Sequence, residues 1–358
     1  MSIEKYKAAL LNHLEKYPHS EIVDIFKLIN QAAFGTGHLV KSREAALEYI
    51  TEELPLVKGS STPEIEAIDE AVSRVHLSYL NSHGMSPGTL AALFELTSRE
   101  SVGGIEKLKS YMDALSELID EGRTAFSKKE FIEKHNAWES GGYQAPRHSD
   151  LYRRLYDPHY RVILNSFVPF LPLLSAIDKK LSEKDSILLA IEGGSASGKT
   201  TLSGLLADIY GSSVFHTDDF YLPLERQKGE RLTAPGECTD HERFLAEVVL
   251  PLSRGESVDY RRFDCSVQSI LPPRRIEHTA LSVCEGSYSA HTDMERYYDL
   301  VAFLDVDSET QKRRILARNT PFFANRHFTE WIPREEAYFR ATRIKERADI
   351  VIPIRDEA

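Results

Sequence analysis

The sequence predicts an α/β protein in which a doubly wound parallel sheet is preceded by an all-α N-terminal domain. Up to about residue 134 the apolar residues recur with helical spacing, and strand-like alternation is almost absent. Beyond residue 186, short apolar runs of strand length alternate with helical segments, a pattern typical of a parallel sheet covered on both faces. We therefore predict an all-α domain over 1–160, a connecting helix over 161–182 and an α/β domain over 183–358.

The composition is that of a globular protein. The 358 residues are 42% hydrophobic and 28% charged, with a formal net charge of -11. This charge argues against a broad nucleic-acid or anionic-membrane surface, so we expect neither as a partner, and a phosphate site must be a local basic patch. The three cysteines lack paired metal-ligand spacing. Together with an N-terminus that mixes charges and no apolar run near 18 residues, they predict a cytoplasmic protein.

The N-terminal half is predicted to consist of helices separated by glycine-containing breaks. The predicted helices cover 21–33, 42–53, 63–80, 87–96 and 104–119. Its most distinctive cluster is Phe34-Gly-Thr-Gly-His-Leu39, in which two glycines would let the backbone approach a ligand. A helix C-cap followed by a turn explains the same residues, and both interpretations remain open.

The C-terminal half reads as alternating strands and helices. The predicted strands are 187–191, 213–216, 281–284, 300–304 and 350–354, and the predicted helices are 200–209, 241–252, 308–318 and 334–344. In this architecture ligands bind outside the carboxyl ends of the strands. The residues after each strand are therefore the candidates for chemistry.

A glycine-rich motif follows the first of these strands. Residues Gly193 to Thr200 read G-x-x-x-x-G-K-T between an apolar strand and an amphipathic helix, which is the context that a phosphate cradle requires. Lys199 would reach the terminal phosphates, and the Thr200 hydroxyl would ligate Mg²⁺. An ordinary glycine turn is the alternative. The residues predicted to contact the nucleotide are Gly193, Gly194, Ser195, Ala196, Ser197, Gly198, Lys199, Thr200 and Thr201.

Carboxylates follow two further strands, and arginines follow a third. Asp218 and Asp219 come after the second predicted strand, and Glu285 comes after the predicted strand 281–284. Phosphoryl transfer needs Mg²⁺ and a carboxylate that positions or deprotonates the attacking group. Caps of the next helices are the alternative role. Three arginines lie on the helix over 308–318, and they would neutralise charge on the transferred group or form a solvated helix face: Arg313, Arg314 and Arg318.

Residues 186–354 resemble the uridine kinase, phosphoribulokinase and pantothenate kinase group of P-loop small-molecule kinases. Beyond the loop, the resemblance rests on the segments Thr217-Asp-Asp-Phe-Tyr221, Thr239-Asp-His-Glu-Arg-Phe244, Tyr260-Arg-Arg-Phe-Asp264, Val283-Cys-Glu-Gly-Ser-Tyr288 and Tyr298-Asp-Leu-Val-Ala-Phe-Leu-Asp-Val-Asp307. It implies a kinase fold with ATP and Mg²⁺ as cofactors.

The resemblance also implies roles for individual residues. Asp218 matches the base for the acceptor hydroxyl, Glu285 the acid near Mg²⁺ and Asp240 the acid that binds the acceptor, while Arg314 and Arg318 match lid arginines. The residues that would contact the acceptor are Asp219, Tyr221, Asp240, Tyr260, Arg261 and Arg262. Uridine kinases carry Tyr-Asp-Phe and a downstream His where this chain has two arginines, and adjacent arginines suit a carboxylate or phosphate on the acceptor.

These observations predict an ATP- and Mg²⁺-dependent phosphotransferase that acts on a hydroxyl of a small molecule. The alternative is a nucleotide-gated regulatory ATPase whose helical domain binds a protein partner. The identity of the acceptor, the choice between ATP and GTP, the role of the N-terminal domain and homo-oligomerisation stay open.

Overall fold

The computed structural model describes residues 3–36, 40–58, 63–100, 102–226, 228–229, 231 and 234–355. The chain divides into two compact units, Met1–Leu171 and Pro172–Ala358. Parts of the turns predicted after Phe34 and before Pro63 lie outside the described residues, at 37–39 and 59–62. Within the described ranges, no helix combines the length and the apolar character needed to cross a membrane.

The first unit is mainly helical. Its helices are α1 (Ile3–Lys16), α2 (Ile22–Phe34), α3 (Arg43–Glu53), α4 (Ser78–His83), α5 (Pro87–Arg99), α6 (Ile105–Asp120), α7 (Lys128–Ser140) and α8 (Asp150–Tyr156). Buried apolar side chains of α1, α2 and α6 form its main core. Serines accept a backbone N–H at the N-termini of α3, α5, α7 and α8, which explains why these helices begin where they do.

The prediction that the first unit is all-α is wrong. A three-stranded antiparallel sheet of order β1-β2-β3 is formed by β1 (Ile65–Ala67), β2 (Val72–His76) and β3 (Tyr160–Leu164). The predicted helix over 63–80 is therefore two strands followed by α4. The predicted connecting helix over 161–182 begins as β3, continues as the 3₁₀ segment Asn165–Phe170 and becomes helical as α9 (Leu171–Glu183).

The error has a physical cause. Every residue of β2 is buried, and β2 pairs with β3, with Val72 opposite Leu164 and His76 opposite Tyr160. The buried Arg74 interrupts the apolar run, and its guanidinium donates to Gln31 Oε1 at 2.7 Å. Because this partner comes from a distant helix, local periodicity does not reveal the strand.

The second unit contains the predicted parallel sheet. Its strands are β4 (Ile187–Gly193), β5 (Ser213–His216), β10 (Leu281–Glu285), β11 (Leu300–Val306) and β12 (Ile350–Ile354), in the order β12-β11-β4-β10-β5. All four pairings are parallel, and every residue of β4 and β10 is buried. Both faces of the sheet centre are therefore covered, as expected for an α/β fold.

Helices and two small hairpins complete the second unit. The helices after α9 are α10 (Lys199–Tyr210), α11 (His241–Phe244), a π-helical turn (Leu245–Val249), α12 (Leu250–Ser253), α13 (Ser308–Arg318), α14 (Pro321–Arg326), a second π-helical turn (His327–Trp331), α15 (Ile332–Thr342) and α16 (Ile344–Arg347). The strands β6 (Val258–Tyr260) and β9 (Arg274–Ile276) pair, as do β7 (Phe263–Asp264) and β8 (Ser269–Ile270). These hairpins were not predicted.

A buried carboxylate fixes the end of β4. Glu192 is fully buried and accepts hydrogen bonds from the backbone N–H groups of Gly193 at 3.0 Å and of Tyr288 and Ala290 at 3.1 Å each. Burial raises the pKa of Glu192 to about 7, although the backbone donors and Lys199 oppose the shift. The carboxylate thus joins the residue that opens the phosphate loop to the segment that follows β10.

This raised pKa predicts a pH-dependent stability. Between its unfolded pKa near 4.5 and its folded pKa of about 7, Glu192 holds a proton only in the folded state, so its contribution to stability falls as the pH rises. The loss should reach about 3 kcal/mol and level off above pH 8. In Glu192→Gln this fall should disappear. Denaturant unfolding of both proteins between pH 4 and pH 8 measures the difference, and parallel pH profiles would contradict the assignment.

Candidate active site

The predicted phosphate loop connects β4 to α10. Its backbone has positive φ at Gly193 (148°), Ala196 (60°) and Gly198 (101°). A Cβ at Gly193 would lie 2.8 Å from the Leu304 carbonyl oxygen, so only glycine fits there. Ala196 holds a left-handed conformation that costs a residue with a Cβ about 1 kcal/mol or more. Such strain at the start of a helix is consistent with a loop shaped around a ligand.

The Lys199 side chain contacts the backbone of the loop that precedes it. Its ammonium donates to the carbonyl oxygens of Gly193 at 2.8 Å and Gly194 at 2.9 Å. Arg314 of α13 donates to the Ala196 carbonyl of the same loop at 3.1 Å. Arg318 is exposed at the end of the same helix.

Thr200 and Glu285 meet at the base of the loop. The Thr200 hydroxyl donates to Glu285 Oε1 at 3.1 Å, and His216 Nδ1 lies 2.6 Å from the same oxygen. The buried Glu285 raises the pKa of His216 and stabilises its protonated form. A hydroxyl and a carboxylate are oxygen ligands of the kind that Mg²⁺ takes. The two residues predicted to hold the metal are therefore adjacent, and their chemistry fits the ion.

The neighbouring acids Asp218 and Asp219 differ in their surroundings. Asp219 accepts from Arg262 Nε at 2.9 Å and lies 2.8 Å from the Tyr260 hydroxyl. The Asp218 side chain is exposed to solvent in the cleft. Partial desolvation by the surrounding protein atoms raises its pKa, and the positive charge of Lys199 opposes this shift. Asp219 is thus held by two side chains, and Asp218 is the one under the electrostatic influence of the loop lysine.

The other residues predicted to contact an acceptor have partners within the protein. Asp240 begins α11 and accepts from Arg226 at 2.7 Å, and Tyr221 forms an isolated backbone bridge with Thr239. Arg261 pairs with Glu247 rather than with Asp219. The adjacent arginines therefore do not form one basic wall.

A cavity of about 600 Å³ lies beside Asp219. It is lined by Ser212, Ser213, Val214, His216, Asp219, Tyr260, Arg262, Leu271, Pro272, Arg274 and Ile276. A second arginine, Arg274 of β9, thus accompanies Arg262 in place of the predicted Arg261. The sequence analysis missed Arg274 because β9 joins β6 only through an unpredicted hairpin.

Glu335 is a further residue at the loop that the sequence analysis missed. This buried carboxylate of α15 accepts the Ser195 N–H at 2.8 Å and the Ser195 hydroxyl at 2.7 Å. It also accepts the Ser287 hydroxyl at 2.8 Å. The Glu335 carboxylate therefore accepts a hydrogen bond from one of the backbone N–H groups predicted to bind phosphate. No local motif marks Glu335, since it lies 140 residues from Ser195.

Comparisons with known proteins add little to this geometry. No family model and no curated protein matches the chain. Among solved structures, a possible uridine kinase from Bacillus stearothermophilus is similar at 18% identity and a TM-score of 0.37, covering 50% of this chain and 98% of that chain. A protein provisionally called a fructose transport system kinase, from Silicibacter sp. TM1040, is similar at 20% identity and a TM-score of 0.40, covering 49% of this chain and 97% of that chain.

A third similar structure is that of TT1252 from Thermus thermophilus, at 18% identity and a TM-score of 0.30, covering 49% of this chain and 91% of that chain. All three likenesses are confined to about half of the chain. Their TM-scores stay below 0.5, so we base the functional proposal on the residues of the site.

The position of Glu335 predicts that it opposes nucleotide binding. Removing its charge in Glu335→Gln should tighten ATP binding by roughly tenfold or more. Unit charges about 4 Å apart interact by about 1 kcal/mol in water and about 4 kcal/mol near a protein surface, and tenfold in affinity corresponds to about 1.4 kcal/mol. Titration calorimetry measures the two affinities. Glu336→Gln is the matched control, because Glu336 is exposed and pairs with Arg340. Equal effects of the two substitutions would show that Glu335 does not compete with phosphate.

Proposed function

We propose that this chain is an ATP- and Mg²⁺-dependent kinase that phosphorylates a hydroxyl of a small molecule. One juxtaposition carries the proposal: the phosphate loop, the Thr200–Glu285 pair and Asp218 lie at the carboxyl ends of neighbouring parallel strands, beside the cavity lined by Asp219. Phosphoryl transfer requires a phosphate cradle, a metal-binding carboxylate and a base for the acceptor in one cleft.

Each residue has a role in this proposal. The backbone N–H groups at the start of α10 and the Lys199 ammonium bind the phosphates of ATP, and Arg314 approaches the same loop from α13. Thr200 and Glu285 would hold Mg²⁺, which neutralises charge on the phosphate oxygens when bound. Asp218 accepts the proton of the acceptor hydroxyl as that oxygen bonds to the terminal phosphorus and ADP leaves.

The cavity beside Asp219 favours an acceptor that carries a carboxylate or a phosphate. Arg262 and Arg274 line it together with His216. Arg262 is paired with Asp219 and His216 with Glu285, so Arg274 supplies the positive charge that no described carboxylate neutralises. Arginine binds carboxylate and phosphate through paired N–H donors. We therefore propose an acidic acceptor and no recognition of a pyrimidine base.

A regulatory ATPase is the second candidate, and the contact of Glu335 with Ser195 favours it. A loop whose donor is held by a carboxylate of the same chain would bind nucleotide only after that contact opens. In this case a protein partner, rather than a small acceptor, would accelerate ATP consumption.

Screening for acceptor-dependent ATP consumption separates these functions. The purified chain with Mg²⁺ should consume ATP rapidly only when a suitable hydroxy compound is added, and hydroxy acids and sugar phosphates should be better acceptors than neutral nucleosides. The acceptor should gain one phosphate per ATP, as mass spectrometry would show. A low ATPase rate that no compound raises but a protein partner does would favour the regulator.

The two neighbouring acids should differ in their effect on transfer. Asp218→Asn keeps the shape of the side chain but cannot take a proton, so turnover with the true acceptor should fall by about 10² to 10⁴ while ATP affinity stays within a few-fold. Asp219→Asn should be milder, since Arg262 and Tyr260 remain to hold the loop. Steady-state kinetics and ATP titrations measure both. Loss of turnover in Asp219→Asn alone would move the base to Asp219.

A further inference from the structure

The first unit has a cavity of its own that the proposed kinase reaction does not use. Its volume is about 590 Å³, which is within the range of small-molecule sites. The cavity is lined by Lys27, Gln31, Gly35, Thr36, Val40, Lys41, Ala45, Ala46, Tyr49, Glu53, Phe94, Arg147, His148, Arg153, Asp157, Pro158, His159, Tyr160, Arg161 and Val162. These residues come from α2, α3, α5, the described residues between α2 and α3, and the chain between α7 and the end of β3.

Positive charge predominates in this lining. Its lysines and arginines number five and its carboxylates two, in a chain with a net charge of -11. The carboxylates are already engaged: Glu53 lies 2.6 Å from both Arg161 and His159, and Asp157 lies 3.2 Å from His159. Arg161 is therefore neutralised within the protein, and the other four cations outnumber the remaining carboxylate, Asp157, by three.

The four remaining cations are Lys27, Lys41, Arg147 and Arg153. In the described part of the chain, none of them lies within ion-pair distance of a carboxylate. Like charges gathered around one cavity repel each other unless an anion lies between them. The cavity is therefore an electrostatic complement to a negatively charged group.

Lys27 is the cation least exposed to water. Its ammonium donates to the Pro146 carbonyl at 3.1 Å, and burial lowers its pKa to about 8. The neighbouring His148 lies 2.9 Å from Asp24 Oδ1 and 2.6 Å from the Tyr160 hydroxyl, and burial lowers the pKa of its ring to about 4. The ring is thus neutral at pH 7, and Lys27 supplies the positive charge of this wall. A half-buried ammonium gains more from an anion than a fully solvated one does.

The walls also offer surfaces for an uncharged portion of a ligand. Tyr49, Phe94 and Tyr160 present aromatic rings, and Val40 and Val162 add apolar area. Gln31 is held in place, because its Oε1 accepts from the buried Arg74 and its Nε2 donates to Tyr160. A preorganised polar group beside apolar walls is a common arrangement in small-molecule sites.

We propose that this cavity is a second small-molecule site, which binds a compound carrying a phosphate or carboxylate group through Lys27, Arg147 and Arg153. The site belongs to the first unit and does not depend on the kinase proposal. It gives this unit a ligand-binding function that the loop motifs of the second unit do not imply.

Binding to the full-length chain tests the proposal. Since phosphorylated probes could also bind the phosphate loop, the background is Lys199→Ala, which weakens the second unit as a phosphate site. Calorimetry measures the binding of four probes: pyrophosphate, AMP, ribose 5-phosphate and citrate. Citrate tests for binding of a carboxylate, and the other three test for binding of a phosphate. At least one should bind with a stoichiometry of one.

Substitutions in the same background locate the site. Arg153→Gln and Lys27→Met should each weaken binding by about tenfold or more, the effect of losing a charge-assisted hydrogen bond. Arg154→Gln is the matched control, because Arg154 is the next residue of α8, is also exposed and does not line the cavity. Thermal unfolding of each variant verifies that it is folded.

Three results would overturn the proposal. The first is that none of the four probes binds the Lys199→Ala chain. The second is that both cavity substitutions leave binding unchanged in folded proteins. The third is that Arg154→Gln weakens binding as much as Arg153→Gln does. Binding that is present in the wild-type chain and lost in Lys199→Ala would assign the anion site to the phosphate loop instead.

Discussion

The candidate active site depends on the buried carboxylate of Glu192. Through hydrogen bonds to Gly193, Tyr288 and Ala290, this side chain connects the first residue of the phosphate loop to the segment after β10. That segment directly follows Glu285, the predicted metal ligand. The backbone N–H groups at this junction would otherwise be buried without partners, at a cost of about 1–3 kcal/mol each. This carboxylate thus adds side-chain hydrogen bonds to the pairing of β4 with β10, in which Glu285 lies opposite Ile191.

A second constraint is that protein side chains already hydrogen-bond the backbone groups of the phosphate loop. Lys199 and Arg314 donate to loop carbonyls, and Glu335 accepts from the Ser195 N–H. A nucleotide must therefore compete with protein contacts rather than with water alone. The affinity of the loop for phosphate is set by the exchange of one set of charge-assisted hydrogen bonds for another. This is why a residue on α15, outside the motif, bears on nucleotide binding.

The sequence predicted the parts of the structure that local patterns determine. The loop over Gly193 to Thr200 is contiguous, and the central strands are short apolar runs, so motif and periodicity were sufficient for both. The three-stranded sheet of the first unit was missed because β2 and β3 are far apart in the chain and the buried Arg74 and His76 interrupt the apolar run. Glu335 and Arg274 were missed because their positions depend on tertiary contacts, for which the sequence has no local signal.

Adjacent residues of the same type have different surroundings at three places in this chain. Asp219 is held by Arg262 while Asp218 faces the charge of Lys199. Arg261 and Arg262 bind different carboxylates, and Arg153 lines a cavity that Arg154 does not. Successive side chains leave an extended segment in opposite directions and leave a helix about 100° apart. Two adjacent residues of the same type should therefore be assigned functions separately. When each position is substituted on its own, the second residue of the pair is the control for the first.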